Sequence, residues 1–321
     1  MSSASETASA LFLSEQGRLR SGWRAALFLL LFALFAPVAQ VIVALPSLAR
    51  GARGANVIVA SEVPLTWLAL VAAGLLAHWV MIGFVDRVGW SYVGLAPREA
   101  APARVASGFA LGGLAIGMPC AALLAVGWLA LVRGGDGGPS VWRELGVVLA
   151  ILIPAALAEE LMVRGYLLSA LADGVGRFWS VVATSVVFAL IHAGNPGMEP
   201  GALVVVGLAG VFLGAVRFAT SSLYAAWAAH LAWNVVLGVL LHALVSGSAM
   251  AAAGWRTLDT GPDWATGGTW GPEGGVPAAL GLLVATGYLI GRHRNAFGRL
   301  PFTTPAAGRS RPAGDEDSTR T

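Results

Sequence analysis

The sequence predicts an all-α fold, a polytopic integral membrane helical bundle of about eight transmembrane helices. Of its 321 residues, 57% are hydrophobic and only 12% are charged, and the mean hydropathy is +0.74. Soluble domains carry roughly twice that share of charged residues. Apolar runs close to the roughly 20 residues that a spanning helix needs recur along the chain. These observations exclude an ordinary soluble globular domain.

Eight apolar runs are candidates for spanning helices. The first run is longer than the roughly 7 to 15 residues of a signal-peptide core, so it predicts a retained anchor. The fourth run is short, and we expect its helix to continue past two glutamates toward Leu171. The candidate runs are 24–45, 63–85, 105–132, 143–158, 178–193, 201–218, 222–245 and 276–291.

The remaining segments predict irregular structure outside the hydrocarbon. The stretch from Ser246 to Gly275 is rich in Gly, Trp, Pro and Asp, and this composition is typical of a loop. The end of the chain is rich in Pro, Gly and charge, which predicts disorder. We therefore expect a cytoplasmic N-terminal segment (1–23), a transmembrane helical domain (24–292) and a disordered cytoplasmic tail (293–321).

Arginine asymmetry predicts the orientation in the membrane. With eight spans, both termini share one side, and that side collects 15 of the 20 cationic residues, all of which are arginine. The positive-inside rule then places both termini in the cytoplasm. The absence of lysine favours a bacterial source, and hence the inner (plasma) membrane. The scattered arginines form no aromatic-interleaved stripe, so no nucleic-acid partner is expected.

The fourth run ends in two carboxylates and an arginine, Glu159, Glu160 and Arg164. Charged groups beside bilayer-length apolar sequence are costly and indicate a functional site. Glu160 and Arg164 are spaced i, i+4 in the order that favours an ion pair. Glu159 is rotated about 100° around the helix, so it needs another partner and suits general acid–base chemistry. The alternative is that both glutamates end a helix and reach water at the interface.

Two further polar pairs lie in later apolar runs. Phe188 and His192 share one helical face, and His192 is either a base partner, a metal ligand or an ordinary hydrogen-bonded residue. His230 and Asn234 also share a face, and both can donate hydrogen bonds. A polar pair deep within a span is hard to explain by packing alone.

Convergence of the three polar faces predicts one hydrolytic site. Glu159 would deprotonate a water, His192 would orient that water or hold a metal, and His230 with Asn234 would stabilise a tetrahedral oxyanion. The expected reaction is hydrolysis of a peptide or acyl bond within a membrane. The sequence contains no His-Glu-x-x-His zinc helix, and no Gly-x-Ser-Gly accompanies the histidines. The single cysteine, Cys120, excludes an intrachain disulfide and a cysteine-based metal site.

In order along the chain, these residues form Glu-Glu-x-x-x-Arg, Phe-x-x-x-His and His-x-x-x-Asn. The three motifs resemble those of the CPBP intramembrane proteases, which include the CAAX prenyl protease 2 (Rce1-like) enzymes and the bacterial Abi proteins. The resemblance covers a catalytic core of about 149–245 and implies an intramembrane endopeptidase. It implies the catalytic residues Glu159, His192, His230 and Asn234, with the site organised by Glu160, Arg164 and Phe188.

Cofactor, substrate and the enzymatic assignment itself stay open at this point. A divalent metal such as zinc would be held by Glu159, His192 and His230, but a metal-free mechanism with glutamate-activated water is also sufficient. The expected partners are the lipid bilayer and a membrane-embedded or lipid-modified (CAAX-like) polypeptide substrate. The competing hypothesis is a non-catalytic membrane protein for bacteriocin immunity, binding or transport, in which the same polar residues are structural.

Overall fold

The computed structural model describes residues 11–14, 17–51, 63–134, 141–250 and 254–297. Within these ranges the chain is a helical bundle, which confirms the predicted all-α polytopic fold. Six helical stretches in the described part are long and apolar enough to cross a membrane, judged by length and composition. The helices are α1 Ser21–Ala49, α2 Val63–Val80, α3 Pro102–Ala125, α4 Val141–Glu160, α5 Tyr166–His192, α6 Pro200–Thr220, α7 Leu223–Val235 and α8 Val276–Arg292.

The difference between eight predicted runs and six long stretches has two causes. The fourth and fifth runs belong to one continuous helical stretch, Trp142–His192, so the expected continuation past the glutamates is confirmed. This stretch kinks at Gly176, whose φ of 78° and ψ of 167° are essentially open to glycine alone. The eighth run forms α8, which at 17 residues is shorter than the other candidates.

The third run was predicted to span 105–132, but its helix ends at Ala125. The amide of Gly127, with φ of 77°, donates to the carbonyl of Leu124, and the amide of Trp128 donates to that of Leu123. This Schellman pattern stops a helix at a left-handed glycine. The chain then forms strand β1, Leu129–Arg133.

The segment 246–275, predicted to be an irregular loop, also contains regular structure. Strand β2, Trp255–Asp259, pairs antiparallel with β1 in the register Leu129 to Asp259 and Arg133 to Trp255. A one-turn helix follows at Asp263–Thr266. At the other end of the domain, Arg294–Phe297 forms a helical turn where disorder was predicted. Residues 298–321 of that predicted tail lie outside the described ranges.

The packing of α3 against α7 depends on two glycines spaced four residues apart. A Cβ on Gly108 would lie 2.1 Å from the carbonyl oxygen of Ala225, and one on Gly112 would lie 1.9 Å from that of Ala229. Small residues at this spacing let two helix backbones approach closely in a membrane protein. Because α7 carries His230 and Asn234, this contact helps to set the position of the candidate site.

A buried polar network ties α1 to the rest of the bundle. Arg24 is only 3% exposed, and its guanidinium contacts Asp86 at 2.5 Å and Asp173 at 3.0 Å. The Tyr166 hydroxyl donates to the same Asp86 carboxylate, and the Tyr92 hydroxyl donates to Asp173. Burial raises the pKa of Tyr92, so its hydroxyl remains a donor. The first span is therefore held by ion pairs as well as by apolar contacts.

Substitution of Gly112 by alanine tests the α3–α7 contact. The added methyl group must displace the α7 backbone, and such overpacking costs on the order of 1–3 kcal/mol. We expect a lower thermal unfolding midpoint for the purified Gly112→Ala protein in detergent.

Gly117→Ala on the same helix is the matched control, because a Cβ at that position meets no atom within 4 Å. This variant should unfold at or slightly above the wild-type midpoint, since alanine favours a helix over glycine. Equal midpoints for the two variants would contradict the proposed contact.

Candidate active site

A π-helical turn, Leu161–Gly165, joins α4 to α5 directly after the two glutamates. Such a turn interrupts the regular helical hydrogen bonding, and π turns are frequent at functional sites. The amide of Tyr166 donates to Nε2 of His78 at 3.0 Å, while Nδ1 of His78 donates to the Gly74 carbonyl at 2.7 Å. A Cβ on Gly165 would lie 2.1 Å from that Nε2, so only glycine fits there. His78 therefore supports the turn that follows the glutamates.

Glu160 and Arg164 form the predicted ion pair, at 3.0 Å between Oε1 and Nη1. Both side chains are fully buried. Arg164 also donates to the carbonyl of Gly210 at 3.3 Å, and its Cζ lies 4.0 Å from the centroid of the Phe188 ring. The pair thus joins the π turn to α5 and α6, and Phe188 forms a cation–π contact with it.

His192 turns its Nε2 toward Glu159. Its Nδ1 lies 2.7 Å from the carbonyl oxygen of Phe188, and since a carbonyl only accepts, Nδ1 carries the hydrogen. In the neutral ring the lone pair is then on Nε2, which lies 3.7 Å from Oε2 of Glu159. The ring of Phe188 packs against His192 with centroids 4.6 Å apart.

His230 bridges the two glutamates. Its Nδ1 lies 3.0 Å from Oε1 of Glu160, and its Nε2 lies 3.8 Å from Oε2 of Glu159. The same Oε1 of Glu160 therefore binds both Arg164 and His230. Asn234, one turn further along α7, is 8% exposed and lines the same cavity as Glu159. The structure thus brings together side chains from all three sequence motifs.

A cavity of about 560 Å³ opens onto these groups. Glu159, His192, His230 and Asn234 lie along its polar side. Its other walls are mainly apolar and come from α1, α2, α4 and the segment after α7, with Phe32, Trp67, Leu70, Ile151 and Met250 among them. A larger open cavity, of about 840 Å³, lies beside Arg18, Arg20 and Arg24 and contains none of the motif residues. The mixed lining of the smaller cavity suits an apolar ligand with one polar reacting group.

The described residues do not form a ready-made metal centre. No group of three or more His, Cys, Asp or Glu side chains within the described ranges is arranged to hold a metal ion. The predicted ligand set of Glu159, His192 and His230 does converge, but through contacts of 3.7 and 3.8 Å between one carboxylate oxygen and two imidazoles. The zinc hypothesis therefore stays a prediction.

Two residues that sequence reasoning missed also contribute to the site. His78 lies inside an apolar run, and its position there was the only signal. Glu273 lies in the segment predicted to be a loop outside the hydrocarbon, yet it is only 8% exposed. It accepts hydrogen bonds from the indole of Trp233 and from the amide of Ser246. Burial raises the pKa of the Glu273 carboxyl, while these two hydrogen bonds act in the opposite direction.

The bundle and its site define a class, the multi-pass membrane proteins with a glutamate–histidine centre beside an apolar cavity. Residues 141–236, from the start of α4 to just beyond the end of α7, match the family described as type II CAAX prenyl endopeptidase Rce1-like. This match confirms the resemblance drawn from the three motifs, and it supports intramembrane protease activity of the CAAX type in general. No curated protein matches the chain.

Replacement of Glu160 by glutamine tests its anchoring role. The change leaves the buried Arg164 cation without its counter-ion, and removal of one partner of a buried pair costs about 3–5 kcal/mol. We expect a marked fall in the thermal unfolding midpoint in detergent.

Glu159→Gln makes the same isosteric change one residue earlier, at a side chain that is 19% exposed. This variant should unfold close to the wild-type midpoint. If both variants unfold at the same temperature, Glu160 is not the structural member of the pair.

Proposed function

We propose that this protein is an intramembrane endopeptidase that hydrolyses a peptide bond of a membrane-embedded or lipid-modified polypeptide. One observation carries the proposal. Oε2 of Glu159 lies between Nε2 of His192 and Nε2 of His230, at 3.7 and 3.8 Å, on the polar side of an otherwise apolar cavity. A carboxylate beside two imidazoles is suited to moving protons at a reacting carbonyl.

Water activation is assigned to Glu159 with His192. Glu159 accepts a proton from the water. His192 orients this water by accepting a hydrogen bond at Nε2, where the lone pair lies because Nδ1 donates to the Phe188 carbonyl. The hydroxide oxygen bonds to the carbonyl carbon and forms a tetrahedral intermediate. When the carbon–nitrogen bond breaks, Glu159 returns the proton to the leaving amine, so the carboxylate is regenerated.

Stabilisation of the oxyanion is assigned to His230 and Asn234. Because Nδ1 of His230 faces Oε1 of Glu160, His230 must carry both ring protons to donate from Nε2 as well. The Asn234 amide supplies a second donor from the same face of α7. Preorganised donors aimed at developing charge are often the largest single contribution to such catalysis.

The apolar walls of the cavity favour a lipid-modified or membrane-embedded substrate over a soluble peptide. A prenylated peptide of the CAAX type combines an apolar chain with a nearby scissile amide, and the family description supports this class. We propose a bacterial inner membrane, which the absence of lysine favours, and cytoplasmic termini, which the arginine distribution predicts.

Glu159→Gln should abolish proteolysis. The probe is a quenched fluorogenic peptide that ends in a farnesylated cysteine and three further residues, supplied to the purified protein in proteoliposomes. Loss of the general base should lower turnover by about 10²- to 10⁴-fold. The matched control is Glu199→Gln, the same change at an exposed carboxylate, which should cleave at the wild-type rate. Wild-type cleavage by Glu159→Gln would contradict the assignment of Glu159 as the general base. Absence of cleavage by the wild-type protein would favour the binding, immunity or transport hypothesis.

Metal removal separates the two forms of the mechanism. The proposed water activation uses only Glu159 and His192, so dialysis against a chelator should leave turnover unchanged. Metal content is measured on the same sample by elemental analysis. A loss of activity that added zinc restores would establish the metal-dependent form.

A further inference from the structure

Glu273 lies in a short helical turn, Pro272–Gly274, between strand β2 and α8. Its position is outside the segment that matches the family, 141–236. Even so, its carboxylate is buried against α7: Oε2 accepts from the indole Nε1 of Trp233 at 2.6 Å, and Oε1 accepts from the amide of Ser246. A buried carboxylate is costly unless its oxygens are hydrogen-bonded, so these two contacts hold it in place.

The segment that contains Ser246 and Gly247 packs against residues next to the site. A Cβ on Gly247 would lie 1.8 Å from the carbonyl oxygen of Pro196, and the Gly247 amide donates to the carbonyl of the fully buried Trp270. The carbonyl of Ser246 accepts from Nδ2 of Asn195 at 3.3 Å. The segment after α7 therefore packs tightly against the connection between α5 and α6.

We propose that Glu273 is a positioning residue for the candidate catalytic groups, holding α7 through Trp233 and the end of α5 through Ser246 and Asn195. This inference rests on the proposed function. Trp233 immediately precedes Asn234 and follows His230 by three residues. Because successive residues of a helix are separated by about 100°, fixing the Trp233 side chain also fixes the directions in which His230 and Asn234 project. Asn195 follows His192 by three residues, so the second hydrogen bond acts on the other side of the site.

The linings of two cavities support a positioning role for Glu273 over a direct catalytic one. A small cavity of about 40 Å³ is lined by Glu273 together with His192, His230 and Asn234. It exceeds the roughly 10–15 Å³ that one ordered water needs, and its polar groups could bind one. In the described part of the chain, the residues that line the 560 Å³ cavity do not include Glu273. Glu273 thus borders the small cavity beside these groups and not the cavity proposed for the substrate.

The test compares kcat and KM of Glu273→Gln with those of wild type, using the farnesylated peptide in proteoliposomes. Glutamine has one acceptor oxygen for two donors, so one hydrogen bond is lost. Misplaced donors act on the transition state and not on ground-state binding, so kcat should fall about 10- to 100-fold while KM stays within about twofold. Asp263→Asn, the same kind of change at an exposed residue of this loop, should leave both constants unchanged.

A double-mutant cycle tests the route through α7. If Glu273 acts through the α7 donors, Glu273→Gln should lower kcat far less in an Asn234→Ala background than in wild type. Trp233→Phe, which removes the indole donor together with its five-membered ring, provides a second variant and should also lower kcat selectively.

The outcomes separate this inference from the proposed function. Peptide cleavage by wild type but not by Glu159→Gln establishes the protease, whatever Glu273 does. A folded Glu273→Gln protein with wild-type kcat would overturn the positioning role. So would a change in thermal stability with an unchanged kcat. An equal loss of kcat with and without Asn234 would overturn the route through Trp233 to Asn234. Should Glu273→Gln fail to accumulate in the membrane, an unchanged kcat for Trp233→Phe overturns the inference.

Discussion

One buried carboxylate oxygen organises this site. Oε1 of Glu160 accepts from Nη1 of Arg164 and lies equally close, at 3.0 Å, to Nδ1 of His230. Glu160 and Arg164 are both fully buried, so neither charge can be compensated by water. The arrangement links the helix that carries the glutamates to the helix that carries the proposed oxyanion donors. Because an unpaired buried charge is so costly, these groups must stay together in the folded protein.

The π turn after Glu160 explains how the pair fits into a continuous helix. In this turn the Tyr166 amide donates to the His78 imidazole, and Gly165 has no side chain that would clash with that ring. Tyr166 is also held through its hydroxyl by Asp86, which pairs with Arg24 of the first span. Helices α1 and α2 therefore support the local backbone from which Glu159 projects, although they lie outside the matched family segment.

The site has a second support in the segment between α7 and α8. Glu273 and the packed segment around Trp270 bring the loop after α7 against the ends of α5 and α7. On the open side, apolar walls lead to Glu159 and the two imidazoles. The proposed enzyme thus combines an apolar cavity with proton-transfer groups whose backbone is held from both sides. In a low-dielectric site, preorganised charges and hydrogen-bond donors stabilise a transition state more than they would in water.

The sequence by itself determined the helical membrane fold, through its long apolar runs, and the three motifs, through polar residues where apolar ones are expected. It also predicted the Glu160–Arg164 pair, because i, i+4 geometry is local to one helix. Contacts between distant segments required the tertiary structure. No local pattern indicates that His230 binds Glu160, that His78 accepts from Tyr166, or that Glu273 contacts Trp233. The end of α3 was misassigned although Gly127 is a local stop signal. The β1–β2 pairing was missed because it depends on a partner 130 residues away, since Leu129 pairs with Asp259. Local sequence thus specified the helices and their chemistry, whereas long-range packing decided which side chains meet.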